Sequence, residues 1–265
     1  MTQTLKTRIL NIPDIAIEDV EKIALKAGEV LKRNYEDKII NSYGNRTTIV
    51  KETNKLIRNM LKYSLADIVH CRFYSEDEDY KPENKGLQWI VDPLDGKENV
   101  LGYPPLMAIS IGLVNNKEPV LGVIYDPIHD QLFSAKHRSG AWLNGKSIKV
   151  SEKTSIKNAR IGFDFKKGEK SIFIKQLNQV LDYVMSVKVF GSPVLNMAAV
   201  SAGKLDLYFK SPASIVDFTA GVCIVREAGG KAVDFNGKDW KTNSKGVVAG
   251  PKGVVEEFVK HIKES

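Results

Sequence analysis

Two carboxylates in the run Trp89-Ile90-Val91-Asp92-Pro93-Leu94-Asp95-Gly96 are the residues of this sequence best suited to chemistry. An apolar segment typical of a strand ends at Asp92, and Asp95 follows three residues later. Because Pro93 biases Asp92 toward extended geometry, the chain is expected to leave the strand in a defined turn. Carboxylates that converge there repel each other unless a cation separates them, and divalent cations that prefer oxygen ligands suit such a pair. A solvated turn is the alternative interpretation.

Two further acidic segments favour the metal-binding interpretation. The run Ser75-Glu76-Asp77-Glu78-Asp79 follows a strand-like segment upstream, and Asp217 lies far downstream in Ile215-Val216-Asp217-Phe218-Thr219-Ala220-Gly221. Asp217 stands where an N-cap or first-turn residue of a helix would stand, and helix capping is therefore its alternative role. The apolar pattern of that helix runs on to Glu227-Ala228-Gly229-Gly230, where the two glycines predict its end.

Taken together, these motifs resemble the inositol monophosphatase family, a group of lithium-sensitive, magnesium-dependent phosphatases. The family pattern is Gly-Glu-Glu, then Asp-Pro-hydrophobic-Asp-Gly-Thr, then Trp-Asp-x-Ala-Gly followed by Glu-Ala-Gly-Gly. The resemblance also includes Phe190-Gly191-Ser192 before a helix and the hairpin Gly140-Ala141-Trp142-Leu143-Asn144-Gly145, and it covers almost the whole chain in the family's order. It implies an α/β fold, a layered αβαβα sandwich of the inositol monophosphatase and fructose-bisphosphatase type, and a homodimer.

The resemblance also implies a magnesium site with two or three ions. Its ligands would be the backbone carbonyl of Leu94 and the carboxylates of Glu76, Asp92, Asp95 and Asp217. One ion, between Glu76, Asp92 and Leu94, would lower the pKa of the attacking water. A second, held by Asp92, Asp95 and Asp217, would stabilise the leaving oxygen, and two ions about 3.5–4 Å apart are typical of such chemistry.

Substrate contacts follow from the same comparison. The backbone N–H groups of Gly96 and Lys97 would bind the phosphate where a helix begins, and a side chain at Gly96 would block its approach. Ser192 would contact the substrate or cap the helix that follows it. Lys210 stands where relatives that take inositol phosphates have an acidic residue for sugar hydroxyls. A cation there suits a second phosphate or a carboxylate, although a solvated lysine at a strand end is an equal alternative.

The sequence departs from the family at the residues that orient the nucleophilic water. Lys97 replaces the usual Thr, Glu98 follows it where a second Thr is common, and Asn54 replaces the upstream Asp. Ser75 in place of Gly and Val216 in place of Trp are milder changes. Either Lys97 and Glu98 form a substitute arrangement, with Glu98 or Glu52 taking the proton, or the metal frame remains while catalysis has weakened. We favour altered or residual activity, so the catalytic candidates are Glu76, Asp92, Asp95, Lys97 and Glu98.

The predicted function is therefore a magnesium-dependent phosphomonoesterase acting on a small phosphorylated polyol or sugar, with inositol monophosphate as the first candidate. Fructose 1,6-bisphosphate or another bisphosphate is one alternative. A catalytically weakened relative that binds metal and anions as a regulatory protein is the other. The histidines lack the spacing of a serine hydrolase or a zinc site, and neither a dinucleotide fingerprint nor a P-loop is present.

Composition agrees with a single compact enzyme in the cytoplasm. The chain has 265 residues with 43% hydrophobic content, lacks an apolar run long enough for a bilayer, and has no apolar leader after Met1. The net charge of +7 is spread along the chain with a denser group at residues 166–170. A basic surface could bind nucleic acid, but no basic motif interleaved with aromatic residues is present, and attraction of anionic substrates explains the charge as well. Cys71 and Cys223 are predicted to be buried thiols in a reducing compartment. We expect neither a nucleic-acid nor a membrane partner.

The elements that must position these residues alternate between helices and strands without repeats. We predict a metal-bearing N-terminal α+β subdomain over residues 1–150 and a C-terminal α/β subdomain with Asp217 over residues 151–265. The predicted helices cover residues 14–35, 52–66, 171–184, 194–202 and 218–228 and a last one from 253. The predicted strands cover residues 69–74, 88–91, 107–114, 120–125, 187–189, 205–209, 232–234 and 247–249, with hairpins up to about residue 150.

Overall fold

The computed structural model describes residues 14–39, 41, 44–76, 86–102, 105–164, 170–211 and 214–263. Part of the upstream acidic run (Asp77, Glu78 and Asp79) and most of the basic group at 166–170 lie outside the described residues. The described parts form two β-sheets and seven α-helices arranged in alternating layers.

A seven-stranded sheet contains the Asp-Pro-Leu-Asp motif. Its strands follow chain order from β1 to β7, and only β1 and β2 are parallel. Their bounds are β1 Arg72–Ser75, β2 Leu87–Asp95, β3 Ala108–Asn115, β4 Glu118–Asp126, β5 Gln131–Lys136, β6 Ala141–Leu143 and β7 Lys146–Ile148. The central strands β2, β3 and β4 are buried over most of their length because helices cover both faces.

The second sheet has five strands in the order β11-β12-β10-β8-β9. Their bounds are β8 Arg160–Phe163, β9 Ser186–Lys188, β10 Leu207–Lys210, β11 Lys231–Val233 and β12 Val247–Gly250. The strands β9, β8 and β10 are parallel, whereas β12 runs antiparallel to both β10 and β11. This sheet begins at Arg160, after the first sheet has ended at Ile148, and the division predicted at residue 150 stays a prediction.

Helices fill three layers around the two sheets. They are α1 Ile17–Asn34, extended by a π-helical turn Tyr35–Ile39, α2 Arg46–Ile68, α3 Lys97–Leu101, α4 Lys170–Asn178, α5 Pro193–Ser201, α6 Ile215–Glu227 and α7 Lys252–Lys263. One apolar cluster joins α1 and α2 to the first sheet. Two more lie on either side of α5 and α6, and a fourth joins α7 to the second sheet. The αβαβα sandwich expected from the sequence is therefore confirmed.

Glycines let the middle helix layer approach the first sheet closely. A Cβ at Gly112 would lie 2.5 Å from the Thr219 side chain, and one at Gly122 would lie 2.4 Å from the Ala220 carbonyl oxygen. Both distances are shorter than carbon atoms tolerate, so the beginning of α6 rests directly on β3 and β4. This close packing fixes the height of Asp217 above the sheet that carries the other aspartates.

Most predicted elements are present, with shifted ends. The second helix begins at Arg46, earlier than predicted, and α4 ends at Asn178, before the predicted end at 184. Cys223 is buried as predicted, but the prediction for Cys71 was wrong, since that thiol is only half-buried. Among the described residues, we find no helix that is both long and apolar enough to span a membrane.

Candidate active site

A bulge in β2 brings Asp92 and Asp95 to one side of the sheet. Asp92 pairs with Ser110 and Asp95 with Ala108, so three steps along β2 match two along β3. In a regular strand, residues three apart point to opposite faces, and one extra residue reverses this. The turn predicted after Asp92 was wrong, because Asp92 and Asp95 both belong to the strand and the carboxylates converge through the bulge.

The end of β1 and the beginning of α6 bring two further carboxylates beside this bulge. β1 runs parallel to β2 with Ser75 opposite Val91, so Glu76 leaves the sheet next to Asp92. Asp217 lies in the first turn of α6, one of the two places predicted for it. Oxygens of Asp92, Asp95 and Asp217 lie within 4.8 Å of one another, and all three residues are buried. The structure thus gathers three of the four predicted carboxylate ligands into one cluster, with Glu76 at its rim.

Burial makes this cluster costly without a cation. Burial raises the pKa of Asp92 to about 7; the Lys97 charge opposes this rise, while Asp217 and Glu76 add to it. Burial, Asp92 and Asp217 likewise raise the pKa of Asp95 well above its ordinary value. A group of oxygen donors that resists ionisation when it has no cation is suited to a hard divalent ion. The predicted magnesium ligands therefore fit that ion in donor chemistry.

The loop before α5 holds Asp95 in place. The Ser192 hydroxyl and the Val194 N–H both donate to Asp95 Oδ2, the latter at 3.1 Å. Ser192 also caps α5 by accepting a hydrogen bond from the Leu195 N–H. Of the two predicted roles of Ser192, capping is confirmed, while substrate contact stays a prediction.

Two lysines neutralise part of the acidic cluster. The Lys97 ammonium contacts the Glu76 carboxylate, and about a third of each side chain is exposed. The Lys210 ammonium lies 3.1 Å from Asp217 Oδ2, and Lys210 is only 3% exposed. Burial lowers the pKa of Lys210, but Asp217, Asp95 and Asp164 outweigh that effect and raise it. The alternative of a solvated Lys210 was wrong, whereas its contact with a second substrate anion stays a prediction.

Asp164, which sequence reasoning missed, is held beside the cluster by three donors. The Gly191 N–H donates to Oδ1 at 2.8 Å, and Asn196 Nδ2 and the Tyr208 hydroxyl donate to Oδ2 at 2.8 and 3.1 Å. Burial raises the pKa of Asp164 to about 6 against the influence of Lys210 and these donors. Only its position directly after the apolar strand β8 could have singled it out from sequence.

One cavity of about 760 Å³ unites these groups. The residues that line it are Glu76, Asp92, Leu94, Asp95, Gly96, Lys97, Glu98, Asp164, Val189, Gly191, Pro193, Lys210 and Asp217. Asn54 is buried in α2 and is not one of these lining residues. Nine of the ten predicted site residues therefore share one cavity, and the tenth, Ser192, donates a hydrogen bond to Asp95, which lines it.

The backbone conformation explains why position 96 is a glycine. Its φ is +80°, and a Cβ there would lie 2.2 Å from the Leu106 carbonyl oxygen. Any side chain would therefore be strained before a ligand arrived. The five-residue helix α3 does begin directly after Gly96, as predicted. The predicted phosphate contact at Gly96 and Lys97 stays a prediction.

Comparison with known proteins agrees with this geometry. The model of a family described as the inositol monophosphatase family matches residues 14–265. Inositol monophosphatase 2 of Solanum lycopersicum is 33% identical over 264 residues, covering 95% of this chain and 98% of the relative. Nus factor SuhB of Haemophilus influenzae is 30% identical and covers 91% and 93%. The crystal structure of extragenic suppressor protein suhB from Bartonella henselae superposes with a TM-score of 0.82 at 28% identity, covering 93% and 98%.

Proposed function

This chain belongs to the inositol monophosphatase family, and from that premise we propose that it is a magnesium-dependent phosphomonoesterase for a small phosphorylated polyol, with inositol monophosphate as the first candidate. Family membership supports a phosphatase in general. The observation that carries the finer proposal is the buried triad Asp92, Asp95 and Asp217, which lines one cavity together with Lys97, Asp164 and Lys210. Phosphate release from inositol, sugar and nucleotide monophosphates, with and without magnesium, tests it. Release that is equal without magnesium would contradict it.

Two groups of residues would hold metal: Glu76, Asp92 and the Leu94 carbonyl at one position, and Asp92, Asp95 and Asp217 at the other. When bound, magnesium supplies an activated water and neutralises charge on the transferring phosphoryl group. The contribution of the protein is to hold the metal-binding carboxylates in position. The Leu94 N–H donates to Asp92 Oδ1 at 3.0 Å, and the Ser192 hydroxyl and Val194 N–H fix Asp95, so both carboxylates keep one orientation.

Protons and magnesium should compete for this cluster. Because the Asp92 pKa is raised to about 7, its carboxylate binds a proton as pH falls below that value, and a bound proton opposes the metal. We expect millimolar magnesium to raise the melting temperature clearly at about pH 8 and much less at about pH 6. Thermal melting at both pH values measures this. A shift of equal size at both, or no shift with magnesium, manganese or calcium, would contradict the assignment.

Asp164 supports a polyol as the substrate. A carboxylate has about four acceptor positions, and three are used by Gly191, Asn196 and Tyr208. The remaining position is on Oδ1, and Asp164 lines the same cavity as the aspartate triad. A substrate hydroxyl is the donor that completes this set. In this arrangement Asp164, and not Lys210, holds the polyol.

Replacing Asp164 with Ala should raise KM for inositol monophosphate. A hydrogen bond to a charged acceptor contributes about 1.5–3 kcal/mol, which corresponds to about tenfold to a hundredfold in kcat/KM. Turnover of p-nitrophenyl phosphate, which has no free hydroxyl, should change little in the same variant. Steady-state kinetics with both substrates measure the difference. If both substrates lose activity equally, Asp164 has a structural role only.

Two alternatives remain as secondary proposals. Fructose 1,6-bisphosphate or another bisphosphate would need a cation for its second phosphate, and Lys210 is already paired with Asp217, so this alternative has lost support. A regulatory role without turnover is favoured by the replaced residues Asn54 and Lys97. Some relatives, moreover, are named Nus factor SuhB and not after a phosphatase. The phosphate-release assay separates the two roles.

We also propose that the protein is a homodimer. Three large apolar side chains are exposed on the segment that leads into β9, the strand at one end of the second sheet: Leu181, Tyr183 and Met185. An exposed apolar group at a sheet edge is typical of a surface that another chain covers. Sedimentation of the intact protein, compared with a Met185→Glu variant, tests both the assembly and this surface.

A further inference from the structure

The acidic cluster contains its own cations, and this has consequences for the number of metal ions. Glu76, Asp92, Asp95 and Asp217 together carry a formal charge of −4 when ionised. Lys97 and Lys210 contact two of them and together contribute +2. The two ammonium groups therefore offset part of the charge that would attract divalent ions. Because Asp164 and Glu98 also line the cavity, the place of each ammonium, and not the total charge, decides how many ions can bind.

Lys210 is fixed in this position. Its side chain is 4% exposed, its ammonium donates to Asp217 Oδ2 at 3.1 Å, and it lies 5.9 Å from the centre of the Phe218 ring. An ammonium buried to this degree has no solvent to move into, and separating it from Asp217 would leave both charges unpaired. Lys210 therefore stays beside Asp217 when a metal binds at the first position, between Glu76, Asp92 and the Leu94 carbonyl, which does not include Asp217.

Lys97 differs because it lies at the rim. About a third of its side chain is exposed, and so is about a third of the Glu76 side chain. A partly exposed ion pair is weak, so an arriving divalent ion can displace the Lys97 ammonium into solvent. The two lysines thus act differently: Lys210 is a permanent counter-charge, and Lys97 is a displaceable one.

We propose that Lys210 takes the place of one divalent cation in this site, so that the protein binds a single metal ion tightly and a second only weakly. This inference rests on the proposed metal-dependent function and specifies its metal content. It differs from the two or three ions that the family resemblance implies. The physical reason is direct repulsion, since a second ion at Asp217 would lie beside a buried ammonium in a medium that screens charge poorly.

Manganese binding by the intact protein tests the proposal without any assay of activity. Free Mn²⁺ is measured by electron paramagnetic resonance during titration of the wild type, Lys210→Met, Lys97→Met and a control, Lys231→Met. Lys231 is also ion-paired, with Glu256 at 2.9 Å, but does not line the cavity. Lys210→Gln, which retains a hydrogen-bond donor, serves if the Met variant does not fold.

We expect the wild type and the control to bind one Mn²⁺ ion tightly. The Lys210 variant should bind two, and its affinity for the second ion should be at least about tenfold higher than that of the wild type. Lys97→Met should tighten the first ion without adding another. The inference would be overturned if the wild type bound two ions with similar affinity, or if the Lys210 variant still bound only one ion. Either result would leave the phosphatase proposal intact. A wild type that binds none would overturn both.

Discussion

Replacing Asp92 with Asn is expected to lower kcat/KM by at least about 10³-fold, because a metal is worth several kcal/mol of transition-state stabilisation and each tenfold in rate is about 1.4 kcal/mol. Asn has nearly the same shape and can still accept the Leu94 N–H, so the loss reports charge and not folding. Phosphate release under saturating magnesium measures it. Asp126→Asn is the matched control, since Asp126 is also buried and accepts backbone N–H groups but lies outside the cavity.

The same variant should stabilise the metal-free protein at alkaline pH. A folded-state pKa of about 7, against about 3.9 in the unfolded chain, means that the folded state holds its proton more tightly. Stability contributed by that proton is present at low pH and is lost as pH rises through 7. Asn removes this loss, so the metal-free variant should melt above the wild type at about pH 8 and level with it at about pH 4. A lower melting temperature at alkaline pH, or more than a tenth of wild-type activity, would contradict the role of Asp92.

The sequence predicted the alternating elements from local pattern, and the layered fold from the resemblance of its motifs to a known family. The same resemblance implied that acidic residues distant in sequence meet, and Asp92, Asp95 and Asp217 do lie together. The bulge at Asp92–Asp95 could not be predicted in this way. A bulge depends on how β2 pairs with β3, which is a long-range property, whereas Pro93 suggested only a local turn.

The surroundings of Lys210 and the role of Asp164 could not be predicted from the sequence either. From sequence, Lys210 was either a solvated lysine at a strand end or a contact for a second substrate anion, and neither interpretation included its ion pair with Asp217. Asp164 belongs to no recognised motif, and its three donors come from separate segments of the chain. Contacts between different secondary-structure elements therefore account for what was missed.

Restoring the family's usual residues at both changed positions should raise turnover. Asn54→Asp with Lys97→Thr supplies a carboxylate that can accept a proton and removes the ammonium from Glu76. A general base contributes about 10²–10⁴ in rate, so the double variant should gain a measurable part of that. Either change alone should gain less, because residues that act as a unit are not additive. Initial rates of phosphate release for the two single variants and the double variant measure the coupling.

A pair of substitutions on the protein surface serves as a control for the change in net charge that the double variant makes. Lys175→Thr with Asn178→Asp alters the net charge by the same amount on exposed positions of α4 and should leave turnover unchanged. Because position 54 is buried, its new carboxylate should lower the melting temperature of the metal-free protein, and manganese should recover part of that loss. If the double variant instead turns over more slowly than the wild type, Lys97 or Glu98 already serves a working alternative mechanism. The altered site would then be a different phosphatase chemistry and not a weakened form of the family's.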